Sequence, residues 1–154
     1  MNKNNKNKKI QIWVLNGPNI NLLGLREPNV YGTKCYIDYL NEIKDYAKEH
    51  NIKVKEYQTN SEGELVDLVQ YAYLKGVDGI VINPGAYTHY SYALHDALAA
   101  VNIDTVEVHI SDIDKREDFR KVSVTKAACD HQIYGQGLNG YLQAMDYCLG
   151  KIRA

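Results

Sequence analysis

The chain has 154 residues, of which 45% are hydrophobic and 24% are charged. This length and composition suit one compact domain with a single core, and they exclude collagen-like and disordered chains. Lysine and arginine together number 18 against 19 acidic residues, so the chain lacks the strongly basic charge of a nucleic-acid-binding protein.

The N-terminal segment is almost entirely asparagine and lysine, which predicts a disordered basic tail at residues 1–9 before one folded domain at residues 10–154. The tail lacks the apolar segment of a signal peptide, and apolar runs elsewhere fall far short of the roughly 20 residues that span a bilayer. We therefore predict a cytoplasmic protein that contacts neither membrane nor nucleic acid. Three cysteines without metal-ligand spacing are interpreted as reduced packing residues: Cys35, Cys129 and Cys148.

The first part of the folded region alternates strand and helix patterns. The apolar run Ile10–Leu15 is typical of a buried strand, and residues 52–58 form the next strand pattern. Between them, residues 16–34 are rich in glycine and proline, and a loop of this length usually has a function. Residues 35–50 predict an amphipathic helix that ends at Asn51. Its apolar stripe consists of Ile37, Leu40, Ile43 and Ala47.

The second part continues this alternation. Ser61 and Glu64 have the spacing of a capping box, and the helix that they begin stops at Gly76. The polar segment 111–126 has the composition of a mobile lid, with a helical turn at 117–121. The other predicted elements are strands at 79–82, 104–109 and 128–134, a loop at 83–90, and helices at 91–101 and 138–152.

Five strands that alternate with helices predict a parallel sheet covered on both faces, because parallel neighbours need helical crossovers. We therefore predict a single α/β domain with a flavodoxin-like, doubly wound sheet. Such sheets bind ligands beyond the carboxyl ends of their strands. Four of those ends carry polar side chains: Asn16, Gln58, Asn83 and His109.

The loop after the first strand contains Asn19, Arg26 and Tyr31. A guanidinium beside a phenol favours the phenolate, which would make Tyr31 a base near neutral pH. Burial acts in the opposite direction, so this hypothesis requires direct contact with Arg26. The alternative is that both are ordinary loop residues in a chain with 13 tyrosines.

Two histidines lie at the predicted ligand-binding edge, His89 in the loop after one strand and His109 at the end of the next. The turn-rich segment Asn83-Pro-Gly-Ala-Tyr-Thr-His89 presents an amide and an imidazole to a polar ligand, or it is a plain connection in which His89 caps the next helix. Alternation places Glu107 and His109 on one side of their strand, where the carboxylate fixes the imidazole tautomer and favours its charged form. His109 is therefore a candidate general acid, or else a packed strand histidine.

Anion contacts are expected just beyond this strand. The backbone NH groups of Ile110 and Ser111 lie where the strand opens into a loop, and they suit a carboxylate. Arg116 and Arg120 share a face on a helical turn and would clamp an anion. The alternative is a solvated turn whose acidic neighbours neutralise both arginines: Asp114, Glu117 and Asp118.

Two further patterns point to other kinds of site. The segment Gly135–Gly140 fits the GxGxxG pattern of dinucleotide-binding proteins, but that pattern belongs at the start of a βαβ unit, so we interpret it as a tight strand-to-helix turn. His89, Glu107 and His109 form a candidate metal triad, without a HExxH or CxxC motif in support. We therefore predict no metal ion and no cofactor.

Together the segments resemble one family, the type II 3-dehydroquinate dehydratases of the shikimate pathway. The joint occurrence of the motifs is highly specific, and the resemblance runs from about Ile10 to the end of the chain. The resemblance implies a flavodoxin-like subunit that removes water from 3-dehydroquinate without metal, Schiff base or organic cofactor, in a dodecamer of four trimers. The motifs are Asn16-Gly-Pro-Asn19, Gly24-Leu-Arg-Glu-Pro28 with Tyr31-Gly32, Asn83-Pro-Gly-Ala-Tyr-Thr-His89, Glu107-Val-His-Ile-Ser111 and Arg116-Glu-Asp-Phe-Arg120.

The resemblance also implies a role for each position. Tyr31 looks like the base that removes the C2 proton beside the ketone, Arg26 holds it as phenolate, and Asn19 positions a water that stabilises the enolate. His109, oriented by Glu107, looks like the acid that protonates the departing hydroxyl. The implied substrate contacts are the side chains of Asn83, His89 and Arg120, the backbone of Ile110 and Ser111, and Arg116 in lid closure.

Asp96 matches a family acid that reaches the site from a neighbouring subunit. The sequence departs from the family pattern nearby, because Tyr90 and Tyr92 are bulkier than expected and His95 stands where an arginine is familiar. One alternative is a signalling module on the same frame, which would need paired acids after the first strand. A flavin or nucleotide binder is the other, and it would need phosphate-binding loops.

Overall fold

The computed structural model describes residues 8–25, 29 and 33–154. Its strands are β1 (Gln11–Asn16), β2 (Lys53–Gln58), β3 (Gly79–Asn83), β4 (Asp104–His109) and β5 (His131–Tyr134). The α-helices of the described part are α1 (Tyr36–Glu49), α2 (Glu62–Leu74), α3 (Tyr92–Ala100) and α4 (Asn139–Arg153). All strands are parallel in the order β2-β1-β3-β4-β5, which confirms the predicted flavodoxin-like sheet in a single domain.

Alternation along β1 divides the interior into two cores. Ile12 and Val14 pack with the residues of α1 and α4. Trp13 and Leu15 point to the opposite face and pack with α2 and α3. All four side chains are fully buried, as expected for a central strand covered on both faces. Polar side chains can therefore meet solvent at the ends of such strands but not along them.

Helix α1 differs from its prediction in which side chains it buries. Ile37 is 60% exposed, whereas Tyr39 is buried and its ring meets Tyr141 of α4 edge-on at 6.0 Å between centroids. The predicted stripe was wrong at this position because a tyrosine that packs between helices counts as polar in a sequence pattern. Asn51 follows the helix with φ of 54°, which confirms the predicted left-handed end.

Two capping interactions also differ from prediction. Cys35 is exposed and caps α1, because its backbone NH and its thiol both donate to the Asp38 carboxylate at 2.8 and 3.1 Å. It is therefore not a packing residue, unlike buried Cys148, although no cysteine forms a disulfide. At α2, Ser61 Oγ accepts the Glu64 NH at 3.2 Å as predicted, but the Glu64 carboxylate accepts the Thr59 hydroxyl rather than the Ser61 NH.

Strand β5 begins three residues later than predicted. Residues 126–128 form a 3₁₀ turn, and Asp130 then exchanges two hydrogen bonds with the Thr105 backbone at 2.7 and 2.8 Å before the strand begins. The segment 111–126 contains the predicted helical turn as a 3₁₀ turn at Asp118–Arg120. Residues 1–7 of the predicted tail lie outside the described residues. No helix in the described part of the chain is long and apolar enough to cross a membrane.

Candidate active site

A cleft of about 720 Å³, including the solvent at its mouth, opens at the carboxyl edge of the sheet. Asn16, Gln58, Asn83 and His109 are the last residues of their strands, as predicted, and Asn16 lies in register with both Gln58 and Asn83. Segments that follow β1, β3 and β4 form the walls. The predicted site residues that line the cleft are Asn19, Asn83, His89, His109, Ile110, Ser111, Arg116 and Arg120.

The loops after β1 and β3 lie in direct contact. The Gly17 NH donates to the Asn83 carbonyl at 2.8 Å, and a Cβ atom at Gly17 would stand 2.4 Å from the Pro84 carbonyl oxygen. Gly85 adopts a φ of 59°, and its own Cβ would stand 3.1 Å from the Pro18 carbonyl oxygen. Both glycines are therefore required by the close approach of two backbones, which builds one wall of the cleft.

A buried tyrosine from α4 joins these two strand ends. The Tyr141 hydroxyl donates to Asn16 Oδ1 at 2.6 Å and accepts from Asn83 Nδ2 at 3.0 Å. Asn83 Oδ1 accepts the Gly85 NH at 3.2 Å. Complete burial raises the pKa of Tyr141, so it stays a neutral donor. These contacts use two of the four hydrogen-bonding positions of the Asn83 amide, and one NH and one lone pair remain for a ligand.

His109 lines the cleft, and Glu107 lies beside it in the interior. His109 Nε2 is 3.2 Å from Glu107 Oε2, which confirms the predicted placement on one side of β4. Glu107 has no exposed surface, and His109 is 6% exposed. Because Nε2 faces the carboxylate, Nδ1 is the ring nitrogen left for proton exchange with a ligand.

Glu107 is held as an anion despite its burial. Burial alone would raise its pKa, but the nearby charge of His109 and the hydrogen bonds from the Thr125 hydroxyl and the Gln132 amide oppose this. The net result lowers the pKa of Glu107 to about 2. The carboxylate therefore stays ionised throughout the physiological pH range.

His89 belongs to the cleft and not to a helix cap. Its Nδ1 lies 2.6 Å from the Val122 carbonyl, and Ser91 caps α3 instead, with its Oγ accepting the Leu94 NH at 3.0 Å. Burial lowers the pKa of His89, and the nearby His109 and Arg120 lower it further. A neutral ring that donates from Nδ1 presents Nε2 as an acceptor, which suits a ligand hydroxyl.

The two arginines of the segment 111–126 line the cleft, as the anion-binding interpretation expects. They also lie beside an acidic residue, as the alternative interpretation expects. Arg116 and Arg120 have only 12% and 21% of their side chains exposed and line the cleft. Glu117 lies beside both, 3.8 Å from Arg116 Nε and 2.9 Å from Arg120 Nε. Asp118 pairs with Lys121 instead, at 3.0 Å. Glu117 therefore lies beside two guanidinium groups that line the cleft.

Comparison with known proteins identifies the family. The model for Dehydroquinase class II matches residues 10–149. The chain belongs to this family. It is therefore an enzyme of the hydro-lyase class.

Relatives of this chain match over nearly their whole length. The 3-dehydroquinate dehydratase of Clostridium beijerinckii is 52% identical over 136 residues, which cover 88% of this chain and 93% of that protein. That of Fusobacterium nucleatum is 54% identical over 142 residues, covering 91% and 97%. The crystal structure of the type II dehydroquinase of Butyrivibrio crossotus matches with a TM-score of 0.91 at 54% identity, covering 92% and 98%.

The GxGxxG segment is a tight turn, as predicted, and it supports the cleft. Gly135 donates its NH to the carbonyls of His109 and Ser111 at 3.2 and 3.1 Å, and Gly137 donates to the Ile110 carbonyl at 3.1 Å. Both glycines have positive φ. Outside the strand ladder, no backbone hydrogen bond within the described residues uses the Ile110 or Ser111 NH.

Among the described residues, two predicted site residues do not line the cleft: Glu107, which lies beside His109, and Asp96. Arg26 and Tyr31 lie outside the described residues. Asp96 lies on α3 with 81% of its side chain exposed, 3.1 Å from His95 Nδ1. No three or more His, Cys, Asp or Glu side chains of the described residues converge to hold a metal ion, so the candidate triad of the sequence has no counterpart.

Sequence reasoning missed the side chains that support the site from behind. Gln132 was detectable in principle, because its strand is predicted and it lies in register with Glu107. Tyr141 carries no local signal, since it is one of 13 tyrosines. The remaining omissions are the hydroxyl groups of Thr88, Ser123 and Thr125.

Proposed function

We propose that this chain removes water from 3-dehydroquinate to give 3-dehydroshikimate in the shikimate pathway. Relatives that are 50–54% identical carry the name 3-dehydroquinate dehydratase. The observation that carries the proposal in this chain is the buried pair of Glu107 and His109, in which His109 lines a cleft that Arg116 and Arg120 also line. An acid held by a fixed carboxylate suits the loss of a hydroxyl group as water.

The proposed reaction proceeds through an enolate. Loss of water β to a ketone needs a base, stabilisation of the enolate and an acid for the leaving group. Tyr31, held as phenolate by Arg26, takes the C2 proton, and Asn19 positions a water beside the enolate oxygen. Family resemblance supports these assignments, together with the position of Asn19 in the cleft wall.

The second half of the reaction belongs to His109. Its Nδ1 gives a proton to the departing hydroxyl, the carbon–oxygen bond breaks, and water leaves as the enolate collapses to the conjugated enone. Tyr31 then releases its proton to solvent and His109 Nδ1 takes one up, which restores both groups. Glu107 supports this step because it holds Nε2 and keeps a negative charge beside the ring.

Substrate contacts follow from the polar groups in the cleft. The side chains of Asn83, His89 and Arg120 bind hydroxyl groups of the substrate, and Arg116 helps the segment 111–126 to close. The substrate carboxylate is held by the NH groups of Ile110 and Ser111, in keeping with the carbonyls of that stretch being taken by the turn after β5. No metal ion or organic cofactor takes part in this scheme.

We also propose that the chain works in the cytoplasm as a dodecamer built from trimers, in which Asp96 reaches the site of a neighbouring subunit. The exposed face of α3 supports this arrangement. Asp96 points away from the buried Leu94 and Leu98, and Tyr92 on the same helix is 70% exposed. A carboxylate and an aromatic ring on one open face suit a contact between subunits.

Ultraviolet absorption of the conjugated enone tests the function directly. Addition of 3-dehydroquinate to the purified protein should produce this absorption, and activity should survive both EDTA and borohydride treatment with substrate. His109→Asn and Tyr31→Phe should abolish turnover while His131→Asn, a histidine outside the cleft lining, should keep it. Absence of absorption with the unmodified chain, or loss of activity to either reagent, contradicts the proposal.

A further inference from the structure

Three hydroxyl groups, which we call the hydroxyl cage, surround the Glu107 carboxylate. Thr88 donates to Oε1 at 3.0 Å, Thr125 donates to the same oxygen, and Ser123 donates to Oε2 at 2.9 Å. Thr88 and Thr125 are completely buried. The cage residues stand behind His109 and are not part of the cleft lining, so they do not touch a substrate bound there.

The hydroxyl protons of the cage are shared between Glu107 and the neighbouring hydroxyl oxygens. Thr88 Oγ1 also lies 2.7 Å from Ser123 Oγ and 2.9 Å from Thr125 Oγ1. Each hydroxyl has one proton, so three protons serve both these contacts and the carboxylate. Ser123 Oγ accepts the Lys126 NH at 3.1 Å, which leaves its own proton for Glu107. Thr125 and Ser123 donate to Glu107, and the Thr88 proton is shared between Oε1 and the neighbouring hydroxyls, so an ionised carboxylate receives at least two hydroxyl protons.

This arrangement matters at the moment of proton transfer. When His109 gives its proton to the leaving hydroxyl, the ring becomes neutral and Glu107 loses its counter-charge in a fully buried place. A buried carboxylate without a counter-charge takes a proton unless fixed dipoles stabilise it. If His109 Nε2 gives its proton to Glu107 while Nδ1 takes one from solvent, the ring is left as the other neutral tautomer, which is a weaker acid than the imidazolium needed for the next cycle.

We propose that Thr88, Ser123 and Thr125 are positioning residues that keep Glu107 an oriented anion behind His109 while the acid is discharged. The cage thus sets the tautomer and the recharging of His109 without touching the substrate. This inference rests on the proposed role of His109 as the acid.

Within the part of the chain that the structure describes, titratable groups face Glu107 from each of the surrounding elements. His109 lies on β4, His89 follows β3, and Cys129 precedes β5. Burial lowers the pKa of His89 and raises the pKa of Cys129, so the imidazole and the thiol are both neutral near pH 7. His109 is therefore the neighbour whose charge changes during the proposed reaction.

Substitutions at Thr125 separate the hydroxyl from the shape of the side chain. Thr125→Val removes the hydroxyl with little change in volume, and Thr125→Ser restores it. Thr105→Val is the matched control, because Thr105 is a buried threonine on β4 whose hydroxyl donates to the Ile103 carbonyl at 2.9 Å. Ser123→Ala tests the second oxygen of Glu107 and provides a variant at a less buried position.

The full-length variants are compared by enone absorption over a range of pH. Thr125→Val should lower kcat about tenfold, the loss expected for one hydrogen bond to a charged group, with KM within about twofold. The alkaline limb of its kcat profile should move to lower pH, because a less ordered carboxylate supports the imidazolium less well. Ser123→Ala should move the limb in the same direction, and Thr125→Ser and Thr105→Val should leave it in place.

A measurement without substrate makes the test independent of turnover. In ¹⁵N NMR spectra, His109 of the unmodified chain should keep the proton of its neutral ring on Nε2, and Thr125→Val should give a mixture of tautomers. The cage proposal is overturned if Thr125→Val loses activity while its pH profile and the His109 tautomer stay unchanged. It is also overturned if Thr105→Val shows the same shifts as Thr125→Val. Absence of enone absorption from the unmodified chain contradicts the proposed function instead.

Discussion

Glu107 carries its negative charge in a place without solvent, and this has a consequence for stability. Its pKa of about 2 lies below the ordinary value of 4.5, because His109 and the surrounding donors outweigh the effect of burial. A carboxyl group whose pKa is depressed on folding stabilises the protein above its unfolded pKa. Its contribution is present above about pH 4.5 and is lost as the pH falls toward 2.

Glu107→Gln should therefore flatten the acid dependence of stability. The unmodified chain should lose roughly 3 kcal/mol of unfolding free energy from this group between pH 4.5 and 2, and the variant should not. The variant should also be about 1–3 kcal/mol less stable at pH 7, since an amide NH₂ cannot accept the hydroxyl donors. Urea unfolding at several pH values measures both effects, with exposed Glu49→Gln as the control. If the unfolding free energies of Glu107→Gln and the unmodified chain change with pH in the same way, the lowered pKa of Glu107 is contradicted.

Tyr141 makes a separate prediction for the strand ends. Tyr141→Phe leaves Asn16 Oδ1 without its donor and Asn83 Nδ2 without its acceptor inside the protein, which should cost about 1–3 kcal/mol of stability. KM should rise because the Asn83 amide loses its fixed orientation. Tyr147→Phe on the same helix is the control, since Tyr147 stacks on His131 through its ring. Equal denaturation midpoints and KM values for the two variants would refute this role.

At the scale of elements, the two glycine-containing loops act as one unit. Gly17→Ala would place a methyl group 2.4 Å from the Pro84 carbonyl oxygen, so the loops after β1 and β3 would have to separate. We expect a loss of about 1–3 kcal/mol in stability and a larger KM. Gly150→Ala, in an open position of α4, should instead stabilise the chain by about 0.5–1 kcal/mol. Thermal unfolding and initial rates measure both, and an unaffected Gly17→Ala would rule out the close approach.

For the whole molecule, mixtures of two inactive variants test whether the active site is shared between subunits. Tyr31→Phe and Asp96→Ala subunits should each be inactive alone, and refolding them together should restore part of the activity. Some contacts would then pair an intact Tyr31 with an intact Asp96 from the next subunit. Enone absorption and analytical ultracentrifugation of the mixture measure activity and assembly together. Full activity of Asp96→Ala alone, or no recovery in confirmed mixed oligomers, would reject the shared site.

Features that depend on neighbouring residues were readable from the amino-acid order. The alternation of strand and helix patterns predicted the five-stranded sheet, because period and apolar run length are local properties. The adjacency of Glu107 and His109 followed from the alternation of side chains along any strand. The polar strand ends also fell where a parallel sheet collects them.

Features that depend on contacts between residues far apart in the sequence could be identified only from the tertiary structure. The hydroxyl cage brings Thr88 against Thr125, and Tyr141 bonds to Asn16 across 125 positions of sequence. No local pattern selects these partners, because a hydroxyl or a tyrosine is equally compatible with surface and interior until its neighbours are known. The exposure of Ile37 has the same origin, since the rotation of α1 about its axis is set by contact with α4. The periodicity of the sequence thus determined the five-stranded sheet and the pairing of Glu107 with His109. The packing of helices on that sheet determined which groups hold the pair in place.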